Sequence, residues 1–204
     1  MLLSGSGTSL ENLIERRERG ELAIDLVGVV SSRPGAFGLE RARRRGIPVF
    51  AVDRRASRDE RAWNDALHEA LAPLAPELLV LAGFLSKLEL RGRYEGRAMN
   101  VHPALVPAFS GKGFYGERVH RAVLESGVRT TGVTVHFCDD EYDTGPVILQ
   151  EPVPVHAGDD VASLARRVQA VERELYPRAI GLFADGRLVL EGRRVRIGPP
   201  RPRG

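Results

Sequence analysis

Short apolar runs alternate with amphipathic stretches along the first half of the chain, and that alternation carries most of the expected fold. Leu2-Leu3 precedes a stretch in which Leu10, Leu13 and Ile14 recur at helical spacing, so a short strand and a helix over 8–18 are expected. The pairing repeats: an apolar run over 24–32 with a helix over 36–45, then a run over 47–52 with a helix over 58–72. A run over 77–83 and, after a loop, a strand over 97–102 complete this half. Strands separated by whole helices cannot be joined by tight turns, so they are expected to lie parallel with right-handed crossovers. Gly35, Gly46 and Gly83 punctuate element ends, and Pro76 stops the third helix.

Beyond residue 116 the order changes to a helix over 117–126, a strand over 132–137, an acidic loop, a strand over 146–155 and a long helix over 160–184. A hairpin over 187–197 turns at Glu191-Gly192. The expected fold is therefore α/β: a single doubly wound, Rossmann-like, mostly parallel sheet with helices on both faces and a less regular, partly antiparallel C-terminal part. A chain of 204 residues fits one such domain, taken as 1–197, with 198–204 as a disordered basic tail.

Composition narrows the function. Apolar residues at 43% and charged residues at 28% suit a core in a soluble protein, and no apolar run approaches the roughly 20 residues that cross a bilayer. No membrane contact is expected. The start of the chain has no basic segment leading into a long apolar stretch, so no secretory signal is expected and a cytoplasmic compartment is the expectation. Cys138 is the single cysteine and has no partner for an internal disulfide. A pI near 9.4 raises nucleic acid as a partner, but Arg193, Arg194, Arg196, Arg201 and Arg203 follow residue 192 in a stretch without acids and exceed the whole net charge of +3. Nucleic-acid readers carry their basic side chains on a folded face, so none is expected here.

Ser4-Gly5-Ser6-Gly7-Thr8-Ser9 lies between the first strand and the first helix. Such a turn offers backbone N–H groups and a helix dipole to an anion such as phosphate, or serves only as a tight turn. Leu10 replaces the third glycine of a dinucleotide fingerprint, and Ser31-Ser32-Arg33 stands where an acid would hold the ribose of NAD. A small phosphorylated metabolite fits better. Asn100 and His102 end the strand 97–102 and, being two apart, share a face; Asp143-Thr144-Gly145-Pro146 makes a tight loop between two later strands. Acyl transfer to an amine needs an oxyanion donor, a proton shuttle and a carboxylate to orient it, and these three residues match that division of labour. The plainer alternative is that His102 ends a strand and Asp143 shapes a turn.

Asp139, Glu141 and Asp143 alternate as in a calcium loop, but Thr144 and Gln150 stand where that loop requires glycine and glutamate. One cysteine without His-x-x-x-His spacing leaves no zinc framework, so no metal is expected. Thr134, His136 and Cys138 share a face of the strand 132–137, from which Thr134 and His136 are expected to support the site, with a satisfied core histidine as the alternative for His136. His68, His120 and His156 receive no partner from the sequence. On the long helix the stripe Leu164, Val168, Val171, Leu175 faces the core and leaves Gln169 and Glu172 on another face.

The order of Ser-Gly-x-Gly-Thr-Ser-Leu, Ala36 to Ala42, Leu81-Ala82-Gly83-Phe84, Asn100 to Pro107, Asp143 to Pro146 and Gln169 to Glu172 closely resembles the glycinamide ribonucleotide formyltransferase family across nearly the whole chain. The resemblance implies transfer of a formyl group from 10-formyltetrahydrofolate, as co-substrate, to the amine of glycinamide ribonucleotide in purine (IMP) biosynthesis. It implies Asn100, His102 and Asp143 as the catalytic trio acting through a tetrahedral intermediate. Gly7, Thr8 and Ser9 would hold the substrate phosphate, and Gln169 and Glu172 its ribose and glycinamide end. Arg58, Leu85, Ser86, Lys87, Leu88, Asp139, Asp140, Glu141 and Tyr142 would border the folate. Ser9 stands where asparagine is usual, Leu85-Ser86 replaces the more frequent Met-Arg, and the segment 110–116 is longer than in some relatives and is expected to be mobile. The partners are these two small molecules, with the chain a monomer or homodimer. Methionyl-tRNA formyltransferase and formyltetrahydrofolate hydrolase share the Asn-x-His-Pro and Asp-x-Gly signatures but carry extra domains, and a catalytically silent phosphosugar-binding module is the alternative from outside enzymes.

Overall fold

The strands over 29–31, 49–51 and 79–81 are shorter than the apolar runs that encode them, whereas the strand over 130–137 is longer than its run. A computed structural model describes residues 1–199; residues 200–204 of the expected basic tail lie outside the described residues. The strands β1 (Leu2–Leu3), β2 (Val29–Ser31), β3 (Val49–Ala51), β4 (Leu79–Leu81), β5 (Ala98–His102), β6 (Thr130–Phe137) and β7 (Val147–Pro154) form a seven-stranded sheet of order β3-β2-β1-β4-β5-β6-β7. β1 runs parallel to both β2 and β4, β2 runs parallel to β3, and β6 and β7 pair antiparallel. This is the doubly wound, mostly parallel sheet with an antiparallel C-terminal part that the sequence predicts. A separate antiparallel hairpin joins β8 (Leu188–Glu191) to β9 (Arg194–Ile197).

The chain divides into two compact units, residues 1–99 and the described residues from Asn100 onward. In the first, β1 to β4 alternate with α1 (Thr8–Glu18), α2 (Phe37–Arg44) and α3 (Glu60–Leu71). Leu2, Leu3, Val29, Val30 and Leu79 on the strands and Leu10, Leu13, Leu39, Trp63 and Leu67 on the helices are all buried. The helix starts follow local chemistry. Asp59 caps α3 by accepting the Ala62 N–H at 2.7 Å, whereas α1 starts from Gly7, at φ +72° and without a side-chain cap. The run 24–32 yields only Val29–Ser31 as strand, since Asp25 is exposed in an ion pair with Arg17 and Val27 is 43% exposed.

In the second unit β6 is buried on both faces beyond its first residue, and α5 (Val161–Ala184) packs against β6 and β7 while α4 (Glu117–Ser126) packs against α5. Leu164, Val168 and Leu175 of the predicted stripe are buried and Val171 is half-buried. Asp160 and Ser163 form a reciprocal capping box at the start of α5. No helix among the described residues is long and apolar enough to cross a membrane.

Candidate active site

Asn100 and His102 sit two apart on β5, and both reach one carboxylate carried by the loop between β6 and β7. Asn100 Nδ2 donates to Asp143 Oδ1 at 3.2 Å, His102 Nδ1 lies 3.4 Å from Oδ2, and the Gly111 N–H donates to Oδ2 at 3.0 Å. His136 on β6 completes the group, with Nε2 3.5 Å from Asp143 Oδ1 and 3.4 Å from Asn100 Nδ2. The β6–β7 register shifts beside the histidine, with Val135 opposite Leu149 and His136 opposite Val147, so that Ile148 is an extra residue on β7. The three residues predicted to act together do come together, with His136 beside them.

Asp143 reaches this position through a backbone at φ +57°, in the left-handed region, where a non-glycine residue carries a strain of about 1–2 kcal/mol. Gly145 permits the turn, because a Cβ there would strike the carbonyl of Phe137. Inside the loop Asp139 Oδ1 accepts from the Glu141 N–H at 3.2 Å and from the Thr144 hydroxyl at 2.7 Å.

Proton positions follow from the partners, since a carbonyl only accepts. His102 Nε2 donates to the Phe109 carbonyl at 2.8 Å, and His136 Nδ1 donates to the Phe137 carbonyl at 2.8 Å. His136 Nε2 lies between the Asn100 amide and Asp143 Oδ1, within reach of both. His102 differs, because both of its nitrogens face acceptors and only the imidazolium satisfies both. Burial opposes that charge. The ring is 3% exposed, and desolvation, with a smaller push from His136, holds its pKa below the ordinary value against the pull of Asp143 and the Phe109 carbonyl. Burial acting alone would raise the pKa of Asp143, but hydrogen bonding from His136, the charge of His102 and the Gly111 N–H outweigh it and leave the carboxyl below its usual value. The chemical result is a carboxylate that stays ionised beside an imidazole that is neutral yet braced to accept a proton.

Thr134 acts one step back. Its hydroxyl donates to the Ala104 carbonyl at 2.7 Å and accepts from the Val106 N–H at 3.0 Å, while Gln150 Nε2 donates to both the Thr134 hydroxyl and the Val106 carbonyl at 3.0 Å. These bonds fix the chain just past His102.

The other expected residues are distributed over the two units. Gly7, Thr8 and Ser9 form the N-terminal end of α1. Arg58 is exposed and pairs with Asp59 at 3.2 Å. Leu85 donates its N–H to Ser4 Oγ at 3.0 Å and is 40% exposed, Ser86 and Lys87 are half-buried and Leu88 is buried. In the second unit Asp139 is half-buried, Asp140, Glu141 and Tyr142 are exposed, Gln169 is exposed and Glu172 half-buried.

Sequence reasoning missed several supports. Asn64, fully buried on α3, donates to the Lys87 carbonyl at 3.3 Å and accepts from the Glu89 N–H at 3.0 Å, which clamps the segment after Phe84. His68 Nε2 bonds the Glu89 carbonyl at 2.8 Å. Their signal was present, as polar residues on the same helical face as Leu67 and Leu71. The Gly111 N–H and Phe109 carbonyl are backbone groups and leave no such signal.

The model of the formyl transferase family matches residues 1–180. The chain is 40% identical over 190 residues to phosphoribosylglycinamide formyltransferase from Escherichia coli (strain K12), an alignment covering 92% of this chain and 87% of that protein. It is 39% identical over 188 residues to the trifunctional purine biosynthetic protein adenosine-3 of Gallus gallus, covering 91% of this chain but spanning only 18% of that longer protein. The crystal structure of glycinamide ribonucleotide transformylase 1 from Symbiobacterium toebii superposes with a TM-score of 0.90 at 43% identity, covering 97% of this chain and 92% of that one.

Proposed function

The chain belongs to the formyl transferase family, and from that premise we propose that it is a phosphoribosylglycinamide formyltransferase, transferring the formyl group of 10-formyltetrahydrofolate to the amine of 5′-phosphoribosylglycinamide in purine biosynthesis. The observation that carries the chemistry is the convergence of Asn100, His102 and His136 on the Asp143 carboxylate. Gly7, Thr8 and Ser9 take the phosphate with N–H groups at the start of α1, and Gln169 and Glu172 take the ribose and glycinamide end. Arg58, the segment 85–88 and the loop 139–142 border the folate.

The substrate amine attacks the formyl carbon, forming a C–N bond while the carbonyl electron pair moves onto oxygen. An Asn100 amide hydrogen meets that oxyanion, and its 3.4 Å contact with His136 is the weaker of its two bonds and the one exchanged. When His102 Nε2 exchanges the Phe109 carbonyl for the substrate nitrogen, the neutral ring carries its one proton on Nδ1, toward Asp143, and Nε2 takes the amine proton. The depressed pKa keeps this ring neutral near pH 7 and so able to accept, and Asp143 stabilises the imidazolium once formed. Collapse of the tetrahedral species breaks the bond to N10 of the folate, and the proton on His102 passes to that nitrogen. The test is substrate dependence: loss of the formyl donor should require glycinamide ribonucleotide and saturate with it. Loss of donor at the same rate without that amine would instead indicate a hydrolase.

A further inference from the structure

The β8–β9 hairpin lies beyond residue 180, where the family match ends, yet its tip reaches the loop that carries Asp143. Gly192, at φ +60°, takes the first of two turn positions, where a hairpin turn of this length favours glycine. The turn aims Arg193, whose Nη2 donates to the Thr144 carbonyl, 49 residues away. β9 lies against β7, Arg196 pairs with Glu191 at 3.0 Å across the hairpin, and the Arg187 and Gly198 backbones bond at its open end at 2.8 Å. The hairpin is thus a braced arm with the Arg193 guanidinium at its tip.

We propose that Arg193 is a positioning residue that holds the 139–145 loop, and so the Asp143 carboxylate, in its working geometry. The loop is tied from within by the Asp139 carboxylate, which engages Glu141 and Thr144. Those ties fix the loop's own shape but not its placement over the end of β5. The Gly111 N–H and Asn100 contribute to that placement on the Asp143 side, and Arg193 contributes on the Thr144 side, one peptide away. Thr144 is exposed, so water can satisfy its carbonyl when the arginine is lost. Loss of Arg193 should therefore leave folding intact while the loop wanders, and small misplacements of this kind weaken catalysis without unfolding.

The inference rests on the formyl-transfer reading and on the loop's place beside the folate, and it is tested on the full chain with Arg193→Met and Arg193→Lys. For Arg193→Met the Tm should stay within about 1 °C of wild type, the KM for glycinamide ribonucleotide within about twofold, the folate KM should rise about 3–10-fold and kcat should fall by a similar factor. Arg193→Lys, which keeps a donor, should recover most of both losses. Hydrogen exchange over residues 139–147 should quicken in Arg193→Met alone, a readout independent of turnover. Unchanged exchange, unchanged kinetics in an active background, or equal rises in both KM values with a lowered Tm would each overturn the role of Arg193. Absence of turnover in the wild type would count against the formyl-transfer reading, and the exchange experiment would still decide the loop contact.

Discussion

Replacing Asp143 by asparagine removes a charge while keeping the shape, and the structure allows its effect to be worked out. Oδ1 accepts from the Asn100 amide and Oδ2 from the Gly111 N–H, with His102 Nδ1 also facing Oδ2. An asparagine has only one oxygen, so whichever way its amide turns, its NH₂ group meets either Asn100 or Gly111, donor against donor. One such unsatisfied group costs about 1–3 kcal/mol, which in a chain of this length lowers the Tm by roughly 2–12 °C. Loss of a positioned acid–base partner lowers kcat by about 10²–10⁴, while the KM for glycinamide ribonucleotide stays near wild type because its phosphate and ribose are held elsewhere. Asp143 raises the pKa of His102, so the variant ring should release its proton at a lower pH than the wild-type ring. The stability consequence has a definite sign. A histidine whose folded pKa lies below its unfolded value of about 6.5 contributes stability above that pH, and the contribution is lost as pH falls toward the folded value; the deeper depression in Asp143→Asn enlarges the loss. Steady-state kinetics across pH, with imidazole titration by NMR, reads all of this. Near-normal kcat in the folded variant would reduce Asp143 to a turn-shaping residue and the trio to Asn100 and His102.

Thr134→Val keeps the volume but leaves the buried Ala104 carbonyl and the half-buried Val106 N–H without the hydroxyl they bond, and should destabilise by about 1–3 kcal/mol in denaturant titration; a neutral result would show that water replaces it. Gly7→Ala places a Cβ 2.6 Å from the Gly38 Cα at φ +72°, so both stability and affinity for glycinamide ribonucleotide should fall, and unchanged KM would refute the phosphate assignment. Truncation after Pro199 keeps the Gly198 bonds to Arg187 and should leave Tm and turnover unchanged; a lower Tm would mean that residues 200–204 dock.

The sequence is most informative where the controlling interactions are local. The helix expected over 117–126 is observed as Glu117–Ser126 because Gly116 and Gly127, both at positive φ, bracket it. The alternation on β6 places Thr134 and His136 together, and two-residue spacing does the same for Asn100 and His102. Legibility ends where contacts are long-range or carried by the backbone. Asn64 clamps residues more than twenty positions away, and the Phe109 carbonyl and Gly111 N–H reach the site only because their segment folds back after Pro107. The run 24–32 misled in length because hydrophobicity alone does not say that Val27 stays exposed. Arg193 read as one of several tail charges, since its partner is set by the hairpin and not by its neighbours.

The most direct measurement of the central claim follows the transferred carbon itself. With 10-formyltetrahydrofolate labelled with ¹³C in the formyl group and an equal amount of glycinamide ribonucleotide, NMR should show the label moving from N10 to the glycinamide nitrogen, one equivalent for each equivalent of tetrahydrofolate released. Label appearing as free formate, or remaining on the folate while glycinamide ribonucleotide stays unmodified, would contradict formyl transfer to this amine.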